Sequence, residues 1–160
     1  MSAVYLSFNI GKELFAINVL KVLEVLQKRA ISSVPKAPDY ILGIINFRGD
    51  VVPVFNTRLK FNLKQLDENE KFAIVVLDMV KNGETYRIGA TVDKVKDVIT
   101  INESEIAPVP PMTSTFDAEF LTGIVRRENQ FILLIDVDKV FKKSEINILN
   151  EVPENNEAPG

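Results

Sequence analysis

Asn46-Phe47-Arg48-Gly49-Asp50 is the sharpest chemical motif in the sequence, an arginine and a glycine set immediately before the apolar run Val51–Phe55. The pattern reads as a turn with two possible uses. In one, Gly49 takes a positive φ and Arg48 points into solvent. In the other, the tight turn fixes the guanidinium so that it can pair with a carboxylate on a partner. Spacing alone leaves both open. Carboxylates cluster at Asp67-Glu68-Asn69-Glu70 and at Glu103-Ser104-Glu105. Such pairs could serve a glycosidase or hold magnesium, but both clusters sit in polar, lysine-flanked segments between apolar runs and read as solvated loops. Arg126-Arg127 with Arg58, Lys60 and Lys64 could make a basic patch, yet acidic residues surround them and a mixed surface is the simpler reading. An oligonucleotide site would also want exposed aromatics among those cations. The 10 Phe and 3 Tyr mostly take core-facing positions.

Conventional catalysis has little to work with. The chain contains no histidine and no cysteine, which removes the commonest general base, the thiol nucleophile and the usual zinc and iron–sulfur ligands. No phosphate-binding GxxxxGK[ST] loop, GxGxxG or GxSxG elbow is present. No enzyme activity, metal or cofactor is expected.

These residues must be positioned by short strands. Val4, Leu6, Phe8 and Ile10 alternate with smaller or polar neighbours, as in a half-buried strand, and Leu14–Asn18 can pair back after the Gly11-Lys12 turn. Val51–Phe55 is continuously apolar, and Pro53 within it predicts an edge or a bulge. Lys81-Asn82-Gly83-Glu84 between Phe72–Leu77 and Tyr86–Val92 is a hairpin signal. Phe131–Ile135 is a further buried strand, entered through Glu128-Asn129-Gln130. Val19–Gln27 reads as a helical turn running into a strand. Tyr40–Ile45 and Asp117–Leu121 read as single helical turns capped by Asp39 and Asp117.

With 160 residues, 46% of them hydrophobic, and a net charge of −3, the chain suits one compact domain or two very small ones. The acidic balance argues against broad nucleic-acid binding. Charged residues interrupt every apolar run well short of the ~20 needed to span a bilayer, and the N-terminus carries no basic leader. A cytoplasmic protein with no direct membrane insertion is expected. Residues 151–160, with three Glu and two Pro, read as a disordered tail.

The two halves resemble each other. Gly43-Ile44-Ile45 recurs 80 positions later as Gly123-Ile124-Val125, and Tyr40-Ile41, Val52 and Val54-Phe55-Asn56 recur at the same offset as Phe120-Leu121, Ile132 and Leu134-Ile135-Asp136. Phe61 falls on Phe141, Val34-Pro35 resembles Val109-Pro110, and Lys21–Val25 resembles Lys94–Val98. A period this long is not a solenoid. It predicts two small β modules that share an apolar interface.

The series Asn18–Val25, Val34-Pro35-Lys36-Ala37-Pro38-Asp39-Tyr40-Ile41-Leu42-Gly43-Ile44-Ile45-Asn46-Phe47-Arg48-Gly49 and Val51-Val52-Pro53-Val54-Phe55-Asn56, with Thr91–Val95 and Phe120–Gly123, resembles the CheW family of chemotaxis adaptors over residues 5–141. Phe47 stands where leucine is usual, Asn56-Thr57-Arg58 where Asp-Leu-Arg is, and Leu26-Gln27-Lys28 where an Arg-Gly pair is. The resemblance implies a mainly β fold of two packed, five-stranded SH3-like barrels within one domain, 4–145, split at roughly 13–70 and 71–145, with the N-terminal strand possibly shared. It implies a non-catalytic adaptor joining the cytoplasmic tip of chemoreceptors to the regulatory domain of the histidine kinase CheA, in membrane-proximal arrays. By the same resemblance the groove between barrels, around Val22, Glu24 and Val98, takes the receptor tip, and Ile31, Gly43, Arg48 and Gly49 belong to the contact region for kinase and receptor. The competing reading of the residues is a small-ligand or oligonucleotide-binding barrel.

Overall fold

A computed structural model of the chain describes residues 1–27, 29–60, 71–81, 83–109 and 120–141. The strands are β1 (Ser2–Ile10), β2 (Glu13–Asn18), β3 (Val22–Gln27), β4 (Ile41–Phe47), β5 (Asp50–Phe55), β6 (Ala73–Lys81), β7 (Glu84–Val92), β8 (Lys94–Asn102), β9 (Leu121–Arg127) and β10 (Gln130–Ile135). Two single-turn helices follow hairpins, α1 (Thr57–Lys60) and α2 (Val137–Val140), and a 3₁₀ turn at Val19–Lys21 leads into β3. That turn-then-strand order matches the reading of Val19–Gln27. The loop 67–70, most of the 108–115 connection, Asp117 and residues 151–160 lie outside the described residues.

The strands form two five-stranded sheets with one plan. Order β3-β6-β7-β5-β4 in the first is matched by β8-β1-β2-β10-β9 in the second. In each, only the third and fourth strands of the order pair in parallel, β7 with β5 and β2 with β10. The offset of 80 holds through the hairpin and its helix, β4-β5-α1 falling on β9-β10-α2. The match of Lys21–Val25 to Lys94–Val98 holds as well: each edge strand carries a bulge at the same place, between Val22 and Glu24 and opposite Ser7/Phe8.

Sheet membership corrects the expected split at residue 70. β3 to β7 build the first barrel without interruption. The second takes β8 to β10 and completes itself with β1 and β2, so the N-terminal strand belongs to it and is not shared. The repeat visible in the sequence covers the hairpin and helix. The two remaining strands come after that unit in one barrel and from the N-terminus in the other, and no residue pattern marks the permutation.

The continuous apolar strands are explained by burial on both faces. Val52 and Val54 point into the first barrel with Leu26, Ile45, Phe47, Ile74 and Val76. Their counterparts Ile132 and Leu134 point into the second with Leu14, Ala16, Ile101 and Val125. Phe55, Leu77, Ile88, Phe8, Phe15 and Ile135 face the other way and make one apolar cluster between the sheets. Phe55 stacks on Tyr40 and meets Phe141 edge-on, with ring centroids 6.0 and 5.0 Å apart.

One local expectation is corrected, and of the two alternatives for Pro53 the bulge is the one found. Tyr40–Ile45 is not a helical turn: Ile41–Phe47 is β4, with Ile41, Gly43, Ile45 and Phe47 buried in alternation. Pro53 lies in an interior strand, close to the bulge between Ile41 and Gly43 and not at a sheet edge. Ile44 spends both its backbone groups on Ser32, at 3.0 and 2.8 Å. Its pairing with Pro53 is therefore the kind that exchanges no hydrogen bonds, and the missing N–H leaves no gap on that side.

Candidate interaction site

The Arg48 motif caps the β4–β5 hairpin. Phe47 and Asp50 close a two-residue turn in which Arg48 has φ 52° and Gly49 φ 87°, the left-handed pair that suits a right-twisted hairpin. The matching turn in the second barrel is Glu128-Asn129, at 50° and 63°. Asn46 Oδ1 accepts the Gly49 N–H at 3.1 Å. The Arg48 guanidinium is more than half exposed but is not unpaired. It donates to Glu24 Oε1 at 2.8 Å and lies 4.8 Å from the Phe47 ring centroid. Arg87, bonded to Asp50 at 2.8 Å, approaches the same ring to 5.9 Å. The two side chains of the Arg48–Glu24 pair are 58% and 42% exposed, so the bond contributes about 0–1 kcal/mol and can be traded for another partner.

The pair spans the seam of the first barrel, from the hairpin tip to the edge strand β3. Arg127 does the same for the second. Its Nε and Nη2 donate to Glu105 Oε2 and Oε1 at 3.1 and 2.9 Å, and Nη2 also reaches the Thr100 carbonyl of β8. Glu105 in turn accepts the Asn102 N–H at 2.9 Å and closes a capping box. These bonds, Arg127's first, hold the Glu105 carboxyl below its ordinary 4.5. A depressed folded-state pKa means that the clasp stabilises the fold above the ordinary carboxylate range and is lost as pH falls through the lowered value. Carboxyl NMR titration is expected to place the Glu105 midpoint below 4.5, and Arg127→Gln is expected to move it upward.

The structure brings the seven candidate residues into two groups and leaves one apart. Glu24, Arg48 and Gly49 meet at the seam, with Val22 two residues before Glu24 on β3 and packed on the shared core. Ile31 and Gly43 meet where the segment at Ser32 bridges to Ile44 and covers the outer edge of β4. Val98 stands on β8, the edge strand of the other sheet, 63% exposed. Its counterpart on β3 is Val25, 40% exposed. The sequence reading named Glu105 and Arg127, the corresponding residues of the second barrel, only within a solvated loop and a mixed charged surface, and it did not name Ile106 or Ala107. The 80-residue offset would have led to that barrel's hairpin.

Other candidate chemistry is absorbed by the fold. Arg58 pairs with Asp93 and Arg127 with Glu105, so they form no bare basic patch. Among the described residues no group of three or more acidic side chains could hold a metal ion. The cavity between the sheets, lined by Phe8, Leu77, Ile135 and Phe141 among others, measures about 20 Å³, room for one water and far below a ligand pocket. Among the described residues no helix is long and apolar enough to cross a membrane.

A model of the CheW-like domain matches residues 4–145. The chain is 30% identical over 148 residues to the chemotaxis protein CheW of Klebsiella aerogenes, covering 92% of this chain and 87% of that one. It is 33% identical over 140 residues to the chemotaxis protein CheW of Helicobacter pylori, covering 87% and 81%. The crystal structure of the scaffolding protein TtCheW from Thermoanaerobacter tengcongensis superposes with a TM-score of 0.77 at 30% identity, over 89% of this chain and 94% of that one.

Proposed function

The chain belongs to the CheW-like family, and from that premise we propose that it couples the cytoplasmic tip of chemoreceptors to the regulatory domain of the histidine kinase CheA. Proteins of this family are scaffolds without catalytic activity, and the chain is a chemotaxis coupling protein of that kind. The finer reading places it in the cytoplasm at receptor arrays, with barrel ends docking on the kinase's barrels and an apolar surface taking the receptor.

One observation supports this most. The ionisable side chains at both seams bond to each other, while apolar side chains beside them stay exposed. Val51 and Phe131, 80 positions apart and next to the two hairpin turns, are 67% and 62% exposed. A surface of paired charges around open apolar residues suits association with proteins. Each contact would be of modest size, and strength would come from several acting together in an array.

Pull-down with a CheA regulatory domain and a receptor-tip fragment tests the reading. Arg48→Glu sets a second carboxylate against Glu24 at an exposed turn, so the melting midpoint should move by no more than a few degrees. Capture of at least one partner should fall roughly ten- to a hundredfold, the effect of about 1–3 kcal/mol at an interface arginine. Undiminished capture of both partners, with unchanged receptor control of the kinase, would remove Arg48 from the site. Failure of the parent chain to capture either one would remove the function.

A further inference from the structure

The chain passes between barrels twice, through Val19–Lys21 from β2 to β3 and through Asp93 from β7 to β8. Each passage is tied by an ion pair to the short helix of the barrel it leaves. Lys21 Nζ donates to Asp138 Oδ2 of α2 at 3.0 Å. Asp93 accepts from Nε and Nη2 of Arg58 on α1. Positions 58 and 138 are counterparts in the 80-residue repeat, so the two ties match with their charges exchanged.

They differ in strength. Arg58 and Asp93 are 13% and 20% exposed and meet through two bonds. Asp93 Oδ2 also accepts the Gly11 N–H at 2.7 Å, and the Asp93 N–H reaches the Asn9 carbonyl at 2.8 Å, so this residue grips both barrels. Lys21 and Asp138 are 33% and 41% exposed and meet through one bond. Asp138 Oδ1 is buried, with no hydrogen-bond partner among the described residues. Tyr86 of the first barrel faces this second tie: its hydroxyl is pushed above its ordinary pKa by burial and then by the Asp138 charge, against the opposing pull of Lys21. A forked, sheltered pair resists salt and holds geometry, whereas a single contact to a flexible ammonium at a wet surface does so weakly. The packed apolar cluster between the barrels sets their approximate arrangement, and the directional contacts at the passages further restrain the angle between them.

We infer that Arg58–Asp93 is the fixed fastening of the two barrels and Lys21–Asp138 a releasable latch, whose opening loosens their relative orientation. The chain has no cysteine, so Val80→Cys on the first barrel and Glu103→Cys on the second, both exposed, can carry two spin labels. Double electron–electron resonance then reads the spread of distances between barrels. Lys21→Ala is expected to widen that spread measurably, up to roughly twofold, one of the two ionic restraints being lost, and to lower the melting midpoint by under about 4 °C. Raising salt to about 1 M should broaden the unsubstituted protein in the same sense. Reversing the pair with Lys21→Asp and Asp138→Lys together should recover the narrow distribution. Arg58→Ala should cost more in melting midpoint than Lys21→Ala. An unchanged spread both in Lys21→Ala and at high salt overturns the latch, as does a larger drop in midpoint for Lys21→Ala than for Arg58→Ala. Should Lys21→Ala fail to fold, the salt series on the parent decides alone.

Discussion

Val54→Asp is expected to leave no folded protein. Val54 is fully buried inside the first barrel, among Leu26, Ile45, Phe47, Val52, Ile74 and Val76. Gly89 lies opposite it on β7 and Gly43 on β4, and neither offers a side chain to a carboxylate. An aspartate there is either charged without a partner or protonated without a donor. Either state costs on the order of 5 kcal/mol, comparable to the whole stability of a small domain. Circular dichroism should show lost strand signal and no cooperative melt, whereas Val54→Ile, which stays apolar and adds one methylene, should still melt cooperatively at a cost of no more than about 1–3 kcal/mol. A soluble, cooperatively melting Val54→Asp protein would contradict the burial of β5. Leu134, the counterpart in the second barrel and equally enclosed, should behave in the same way. Loss at both positions is expected because the barrels share one apolar cluster, so unfolding of one strips the other of its buried face.

The strands were legible where one face meets water. In β1 the alternation of Leu6, Phe8 and Ile10 does mark the buried face, although Ser7 between them is buried as well, donating to the Asp97 carbonyl, and Val4, which the sequence puts on the same face, is 38% exposed. The Asn-Gly hairpin was legible because only a turn tolerates that pair between apolar runs, and Lys81 and Glu84 do close it. β4 was misread because the segment at Ser32 covers its outer edge. Leu42 and Ile44 sit on its less buried face and are apolar too, so the run from Tyr40 to Ile45 shows no period of two. Only the structure reveals that Gly43 occupies a buried place in the alternation. The repeat was legible in the hairpins because their geometry constrains residue type: left-handed turn positions, an Asn or Asp helix cap, paired inward aliphatics. Which strands complete each barrel was not, since pairing β10 with β2 joins residues more than a hundred positions apart with no mark on either.

The candidate site was legible only in part, for a related reason. Arg48 stood out because arginine-glycine before a strand is a local pattern. Its acceptor Glu24 is 24 positions away and nothing in the order of residues connects them. The pairing follows from closure of the barrel, which sets the β4–β5 tip against β3. Arg58–Asp93 and Arg127–Glu105 arise in the same way, and a reading by charge density saw them as scattered surface charge. Val98 was placed beside Val22 by resemblance. The fold puts the two on edge strands of different sheets, so a surface using both must span the junction of the barrels.

Gly43→Ala separates support of the site from contact with a partner. At φ +152°, an added Cβ would lie 2.1 Å from the Ser32 carbonyl oxygen and 2.8 Å from Ile31 Cγ2. The first of those atoms is backbone: it accepts the Ile44 N–H at 2.8 Å, while the Ser32 N–H donates to the Ile44 carbonyl at 3.0 Å. It can retreat only by breaking the bridge that covers β4. Steric displacement and a disfavoured φ together should cost about 3–5 kcal/mol, or roughly 10 °C in melting midpoint for a chain of this size. Gly123→Ala meets chiefly Ile106 Cγ2, a side-chain end at 2.4 Å, which can rotate, so its cost should be smaller. Gly49→Ala has nothing within 4 Å and only a φ of +87° to bear, about 1–2 kcal/mol. The expected order of melting midpoints is therefore Gly49→Ala above Gly123→Ala above Gly43→Ala. If Gly43→Ala melts with the parent yet loses its partners, Gly43 is itself a contact and the steric account is wrong. If stability and capture fall together while Arg48→Glu loses capture alone, Gly43 holds the edge of β4 in place and Arg48 does the touching.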